Sequence, residues 1–87
     1  MSYIEQAKQI IYGARNEDYG PMKDSFDRTA KIWSAILNIE VTPHQVCLCM
    51  MGLKLSRESF KQKDDNIVDI IGYAEISGII KNNFINY

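Results

Sequence analysis

Four side chains in the second half of this 87-residue sequence have the types and spacing to do chemistry. Lys54 and Arg57 stand three residues apart, Asp65 and Asp69 stand four apart, and a stretch over 59–63 that is polar apart from Phe60 lies between the pairs. On helices, separations of three and four put both members on one face. If the two helices fold back on each other about a turn near Lys61, Arg57 comes opposite Asp65 and Lys54 comes opposite Asp69 or close to it. Asp69 is enclosed by Ile67, Val68, Ile70 and Ile71, so it is expected to be at least partly buried. A buried carboxylate needs a cation, a metal or a proton.

Three chemistries suit this constellation. The pairs can form an interhelical salt-bridge ladder that fixes register while adding little net stability. They can form a phosphate site, with Lys54 and Arg57 as donors and the aspartates orienting them or holding Mg²⁺. Asp69 can also act as a general acid or base, although no clear nucleophile or third acid accompanies it.

The elements that must position these residues are all helices. No segment alternates apolar and polar residues long enough to argue for a strand. Ser2 and Glu5 form a capping box ahead of Ile4, Ala7, Ile10, Ile11 and Ala14, which predicts a helix over 3–14. The polar run 15–21 contains Gly20-Pro21 and reads as a loop. Met22, Phe26, Ala30, Trp33, Ile36 and Leu37 form one stripe, which predicts a helix over 23–38 with Trp33 as a core anchor. Thr42 as N-cap, Pro43 at the first position and Gln45 completing the box start a third helix, 43–58. Its middle, 46–55, is apolar on nearly all sides, so this helix must be central or be covered by a second subunit, and a homodimer is expected. Asp64 or Asp65 opens a fourth helix, 65–81, striped by Ile67, Ile70, Ile71 and Ala74, widened by Val68, Ile76, Ile79 and Ile80 so that it is expected to be heavily buried, and closed near Lys81. Phe84 and Tyr87 beyond it are candidates to dock on a neighbour. The expected architecture is one all-α domain over 1–87, a four-helix bundle with a central antiparallel helical hairpin.

Composition narrows the function. Ten basic residues against eleven acidic ones give a formal charge of −1, which removes the general electrostatic warrant for nucleic-acid binding. No run of 18 apolar residues exists to span a membrane, and residues 1–9 lack a signal-peptide core, so a cytoplasmic protein is expected. Cys47 and Cys49 fall on different sides of their helix, and His44 is the only histidine, so neither a disulfide nor a zinc site is expected. Both thiols read as reduced and packed, His44 as an exposed polar residue, and Tyr19-Gly20 as a turn.

Several segments occur in a telling order: Tyr19-Gly20, Ser25-Phe26, Ala30-Lys31-Ile32-Trp33, Lys54-x-x-Arg57, and Asp65-Asn66-Ile67-Val68-Asp69-Ile70-Ile71-Gly72-Tyr73-Ala74. Over 19–79 the sequence resembles a family of small uncharacterised proteins encoded mainly by tailed phages and prophages. More distantly, the hairpin is similar to the MazG-like all-α nucleoside triphosphate pyrophosphohydrolases. Those enzymes bind Mg²⁺ through a Glu-Glu-x-x-Glu motif on one helix and a Glu-x-x-Asp motif on the next. Asn66-Ile67-Val68-Asp69 matches the second motif with Asn for Glu, while Met50, Met51, Lys54 and Arg57 stand where the first belongs. The resemblance implies a phage accessory protein acting in the host cytoplasm. It would bind a nucleotide or another phosphate-bearing ligand through Lys54, Arg57, Asp65 and Asp69, with a Mg²⁺ cofactor possible and no dedicated metal site. The alternatives are an interaction protein that docks on a host or phage protein, and a divergent pyrophosphohydrolase.

Overall fold

The computed structural model of the chain describes residues 1–83, and the sequence-based expectation for Phe84 and Tyr87 lies outside them. Ser2 caps the first helix, its Oγ accepting the Glu5 backbone N–H at 3.1 Å, which is one half of the capping box read from the sequence. After α1 (Tyr3–Gln9) the chain does not stop at Ala14. It passes through a π-helical turn, Ile10–Ala14, and continues as α2 (Arg15–Tyr19). The Arg15 N–H reaches back five residues to the Ile10 carbonyl, so the backbone absorbs one extra residue and stays helical. The loop expected over 15–21 therefore shrinks to Gly20 and Pro21. Gly20 takes φ +80°, a backbone that glycine adopts without the Cβ clash other residues meet.

Pro21 leads into α3 (Met22–Leu37), which ends at Asn38 in the left-handed conformation. The turn that follows is tied down by Ser34, whose Oγ donates to the Ala30 carbonyl at 2.7 Å and accepts the Val41 N–H at 2.8 Å. The Thr42–Gln45 capping box then starts α4 (Pro43–Phe60), with both of its reciprocal hydrogen bonds in place. A three-residue connection leads to α5 (Asp64–Asn83). Counting the first run as one, the described residues form four helical runs and no strand.

The most extensive packing is between α4 and α5. From the turn outwards they meet at Glu58–Asn66, Lys54–Asp69 and His44–Ser77, so they run antiparallel. The α1–α2 run lies on α5, held at its rim by the Tyr3 hydroxyl donating to Asp64 and the Tyr12 hydroxyl donating to Glu75. Helix α3 packs against α4 and α5. Ile11, Phe26, Ala30, Val46, Cys47, Tyr73, Ile76 and Ile80 form the shared core, with Trp33 and Met50 half-buried against it. No helix among the described residues is long and apolar enough to cross a membrane.

Several local expectations need correcting. Ile36 and Leu37 are exposed, while Met22, Phe26 and Ala30 of the same stripe are buried. On α5 Val68, Ile76 and Ile80 are buried as expected and Tyr73 joins them, whereas Ile67, Ile70 and Ile71 are half-buried and Ala74 is exposed. His44 is half-buried rather than exposed, with its Nδ1 2.9 Å from the Ser77 Oγ. Cys47 is buried as expected, but Cys49 faces outward. Helix α4 also exposes Leu48, Leu53 and Leu55, so its apolar circumference is not fully covered within the chain.

Candidate functional site

The site forms around Asp69, one turn into the buried face of α5. Its Oδ2 lies 2.7 Å from the Lys54 Nζ of α4, and its Oδ1 lies 3.7 Å from Arg15 Nη2 at the start of α2. Both Lys54 and Asp69 are only 9% exposed, while the Arg15 side chain keeps 32% of its surface in water. Arg15 Nη1 also donates to the Tyr73 hydroxyl at 3.4 Å, and its guanidinium sits 5.8 Å from the centre of the Tyr73 ring. Burial alone would lower the pKa of Arg15. The Tyr73 hydroxyl and the Asp69 carboxylate outweigh it and carry the pKa above its ordinary value. Three helices thus deliver two cations to one buried carboxylate, and the cluster carries a net positive charge.

Beside it opens a groove of about 530 Å³ at the α4–α5 turn, with Lys54 in its wall. Arg57, Lys61 and Lys63 line it with Lys54, and Asp65 is the only carboxylate among its lining residues. Four cations against one acid is a strong local bias in a chain whose net charge is −1. Glu58 stays out of the groove because it braces the turn. Its Oε1 accepts the Lys63 backbone N–H at 2.9 Å and the Asn66 Nδ2 at 3.1 Å.

Of the four residues predicted from the sequence, the structure pairs two directly, Lys54 with Asp69. Arg57 and Asp65 line the same groove but form no ion pair with each other among the described residues. The antiparallel register differs by one to two residues from the expected one, so Glu58 and Asn66 occupy the level assigned to them. Sequence reading missed Arg15, because a loop was expected there. No local signal pointed to it, because the string from Arg15 to Asp18 is polar and the π turn that carries the helix on to Arg15 depends on packing. Among the described residues no three His, Cys, Asp or Glu side chains come together as metal ligands would. The arrangement is suited to holding an anion by charge-assisted hydrogen bonds.

These features define a small all-helical protein with a cationic groove at a two-helix turn. The chain belongs to the family described as "Domain of unknown function (DUF6378)", whose model matches residues 2–81. It is 39% identical over 80 residues to the Gene 55 protein of Mycobacterium phage L5, covering 87% of this chain and 50% of that protein. It is 31% identical over 74 residues to the Gene 55 protein of Mycobacterium phage D29, covering 84% of this chain and 49% of that one. The chain therefore spans about half the length of the curated relatives it matches. No solved structure matches it.

Proposed function

We propose that this phage-family protein binds a nucleotide or another phosphate-bearing ligand in the groove at the α4–α5 turn. The observation that carries the reading is the concentration of Lys54, Arg57, Lys61 and Lys63 against Asp65 alone, in an overall acidic chain. Lys54 is a donor braced by Asp69, and Arg57 is an exposed one whose planar fork matches phosphate geometry. In this reading the four helical runs form a bundle around the α4–α5 hairpin, the element similar to MazG-like enzymes. The position of the first acidic motif of those enzymes holds Met50, Met51, Lys54 and Arg57, which favours binding of phosphate oxygens by cations over hydrolysis through a metal. The protein would act in the host cytoplasm.

Calorimetric titration with pyrophosphate, adenosine 5′-monophosphate and adenosine 5′-triphosphate, each with and without Mg²⁺, tests this. Binding is expected to weaken with added salt and to drop about tenfold in Arg57→Ala, the loss of one good charge-assisted contact. Silence with all three ligands in both conditions would refute it. Release of pyrophosphate with Mg²⁺, abolished in Asp69→Asn, would instead reveal a divergent pyrophosphohydrolase.

A second observation favours a second reading, docking on another protein. The outward face of α4 presents Leu48, Cys49, Gly52, Leu53 and Leu55 without a charge among them, and Phe60 at its end is 92% exposed. Such a face suits a second copy of the chain, giving a homodimer, or a host or phage protein. Sedimentation equilibrium distinguishes the dimer from the monomer.

A further inference from the structure

A second cleft meets the Lys54–Asp69–Arg15 cluster at Arg15, as the cationic groove meets it at Lys54. Helices α2 to α5 border about 230 Å³ there, and its ten lining residues include Tyr19, Met22, Phe26, Trp33, Met50 and Tyr73. Four of the ten are aromatic. Phe26 and Tyr73 contact each other at a tilt of 51°, with ring centres 6.1 Å apart, so they hold each other's orientation. Trp33 and Met50 are only half-buried and Tyr19 is exposed, so the cleft opens to solvent rather than being part of the sealed core. Arg15 lines the cleft while also bonding Asp69. Met50, in the cleft wall, and Lys54, in the groove wall, are one turn apart on α4, about 6 Å along its axis.

We infer that this cleft is a pocket for a flat aromatic ring joined by a short spacer to the anion held in the groove. The inference rests on the phosphate-binding reading and adds the chemical class of the rest of the ligand. Three features select a ring over an alkyl chain. Aromatic faces and the soft thioethers of Met22 and Met50 gain most from a planar π-system. Ser25 and Thr29 supply hydroxyls at the cleft edge, as a ring bearing polar nitrogens and oxygens requires. The Thr29 hydroxyl donates to the Ser25 carbonyl at 2.8 Å, which leaves its oxygen as an acceptor. Arg15 and Lys54, sharing one carboxylate, place spare positive charge where the spacer must cross from cleft to groove. A nucleoside monophosphate has this build: a ring, a pentose and a terminal phosphate.

Trp33 is the only tryptophan in the sequence, so its emission reports on the cleft alone. The full chain is titrated with adenosine 5′-monophosphate, uridine 5′-monophosphate, adenosine and inorganic phosphate, following Trp33 emission and heat in parallel. At least one nucleotide is expected to shift or quench Trp33 saturably, whereas phosphate competes with it in calorimetry without moving the emission. Tyr19→Ala removes an exposed wall at little risk to folding. It should weaken that nucleotide at least about fivefold, as loss of one base-stacking partner does, and leave phosphate affinity unchanged. Ser25→Phe, which fills the cleft, should abolish the emission change. Nucleotides that bind calorimetrically with Trp33 unmoved and with equal affinity in Tyr19→Ala would overturn the ring pocket and leave the groove standing. Absence of heat with all four compounds, phosphate included, would overturn both.

Discussion

Replacing Lys54 with methionine is the sharpest probe of the buried pair. The thioether keeps most of the lysine stem's volume but removes the ammonium 2.7 Å from Asp69, leaving that carboxylate 9% exposed with Arg15 at 3.7 Å as its remaining cation. Breaking a buried pair by removing one partner costs about 3–5 kcal/mol, because the survivor is left desolvated. Arg15 offsets part of this, so the low end of that range, about 3 kcal/mol, is expected. An 87-residue domain holds about 4–13 kcal/mol in total, so the loss is a large fraction of stability. Urea unfolding followed by Trp33 emission reads it. With a slope of about 1 kcal/mol per molar urea, typical of a small domain, the midpoint should fall by about 3 M. The companion variant Lys54→Met/Asp69→Leu removes both charges and frees Arg15 to reach water. It should return to within about 1 kcal/mol of the wild type, giving a coupling energy of about 2 kcal/mol or more. Single variants that each cost under about 0.5 kcal/mol and simply add would refute the reasoning. They would show a solvated surface pair of the kind that contributes little.

Burial pushes the Cys47 thiol up to about 12 from its ordinary 9.0, so the folded chain keeps its proton while the unfolded chain loses it. Stability from this group is complete below about pH 9 and is lost as pH climbs towards 12; urea midpoints between those limits should fall less steeply in Cys47→Ala, by up to about 1.4 kcal/mol per pH unit. In the same chain, a thiol reagent should modify the exposed Cys49 promptly and Cys47 only on unfolding. Gly20→Ala forces a side chain into φ +80° and should cost about 1 kcal/mol, lowering Tm by about 5 °C in calorimetry; an unchanged Tm would mean that the α2–α3 corner relaxes freely. Leu55→Glu on the outward face of α4 should leave Tm nearly unchanged, since the side chain is already exposed, yet abolish any self-association detected by sedimentation equilibrium.

How much of this was legible in the sequence varies with the range of the interaction involved. The α4 start was fully written locally, because Thr42, Pro43 and Gln45 act within four residues of one another. The helical content and the Lys54–Asp69 meeting followed from periodicity and a short connection, both near-neighbour properties. The run past Ala14 was not legible in the same way. A π turn depends on whether the widened backbone is rewarded by packing against α5, and the polar string from Arg15 to Asp18 gives no local sign of that. Missing the π turn also meant missing Arg15, and with it the surplus positive charge of the cluster. Arg57 and Asp65 line one groove without pairing, for a smaller reason. Glu58 bonds both Lys63 and Asn66, which holds the turn one to two residues from the estimated register.

The site and the exposed apolar face lie on opposite sides of α4, and this explains why that helix has so little amphipathic contrast. Its inner side carries Val46, Cys47, Met50 and Lys54; its outer side carries Leu48, Gly52 and Leu55. Reading the apolar circumference as a sign of full burial treats both sides as core. In the structure only one of them is, and the inner side itself gives way to charge at Lys54, one turn past Met50. The proposed phosphate groove and the proposed docking face meet at Phe60, which lines the groove and ends the apolar face, and they diverge elsewhere. A partner on Leu48 and Leu55 would leave the groove at Lys61 and Lys63 and the aromatic cleft at Trp33 on other faces of the helix. The salt-bridge ladder, by contrast, does rival the phosphate site, and charge stoichiometry separates them. One cation suffices to hold a carboxylate in register, and Lys54 at 2.7 Å already does so. A second cation, Arg15, reaches the same carboxylate from a third helix with the Tyr73 hydroxyl beside it, and in the phosphate-binding reading proposed above that surplus positive charge is what an anion would meet.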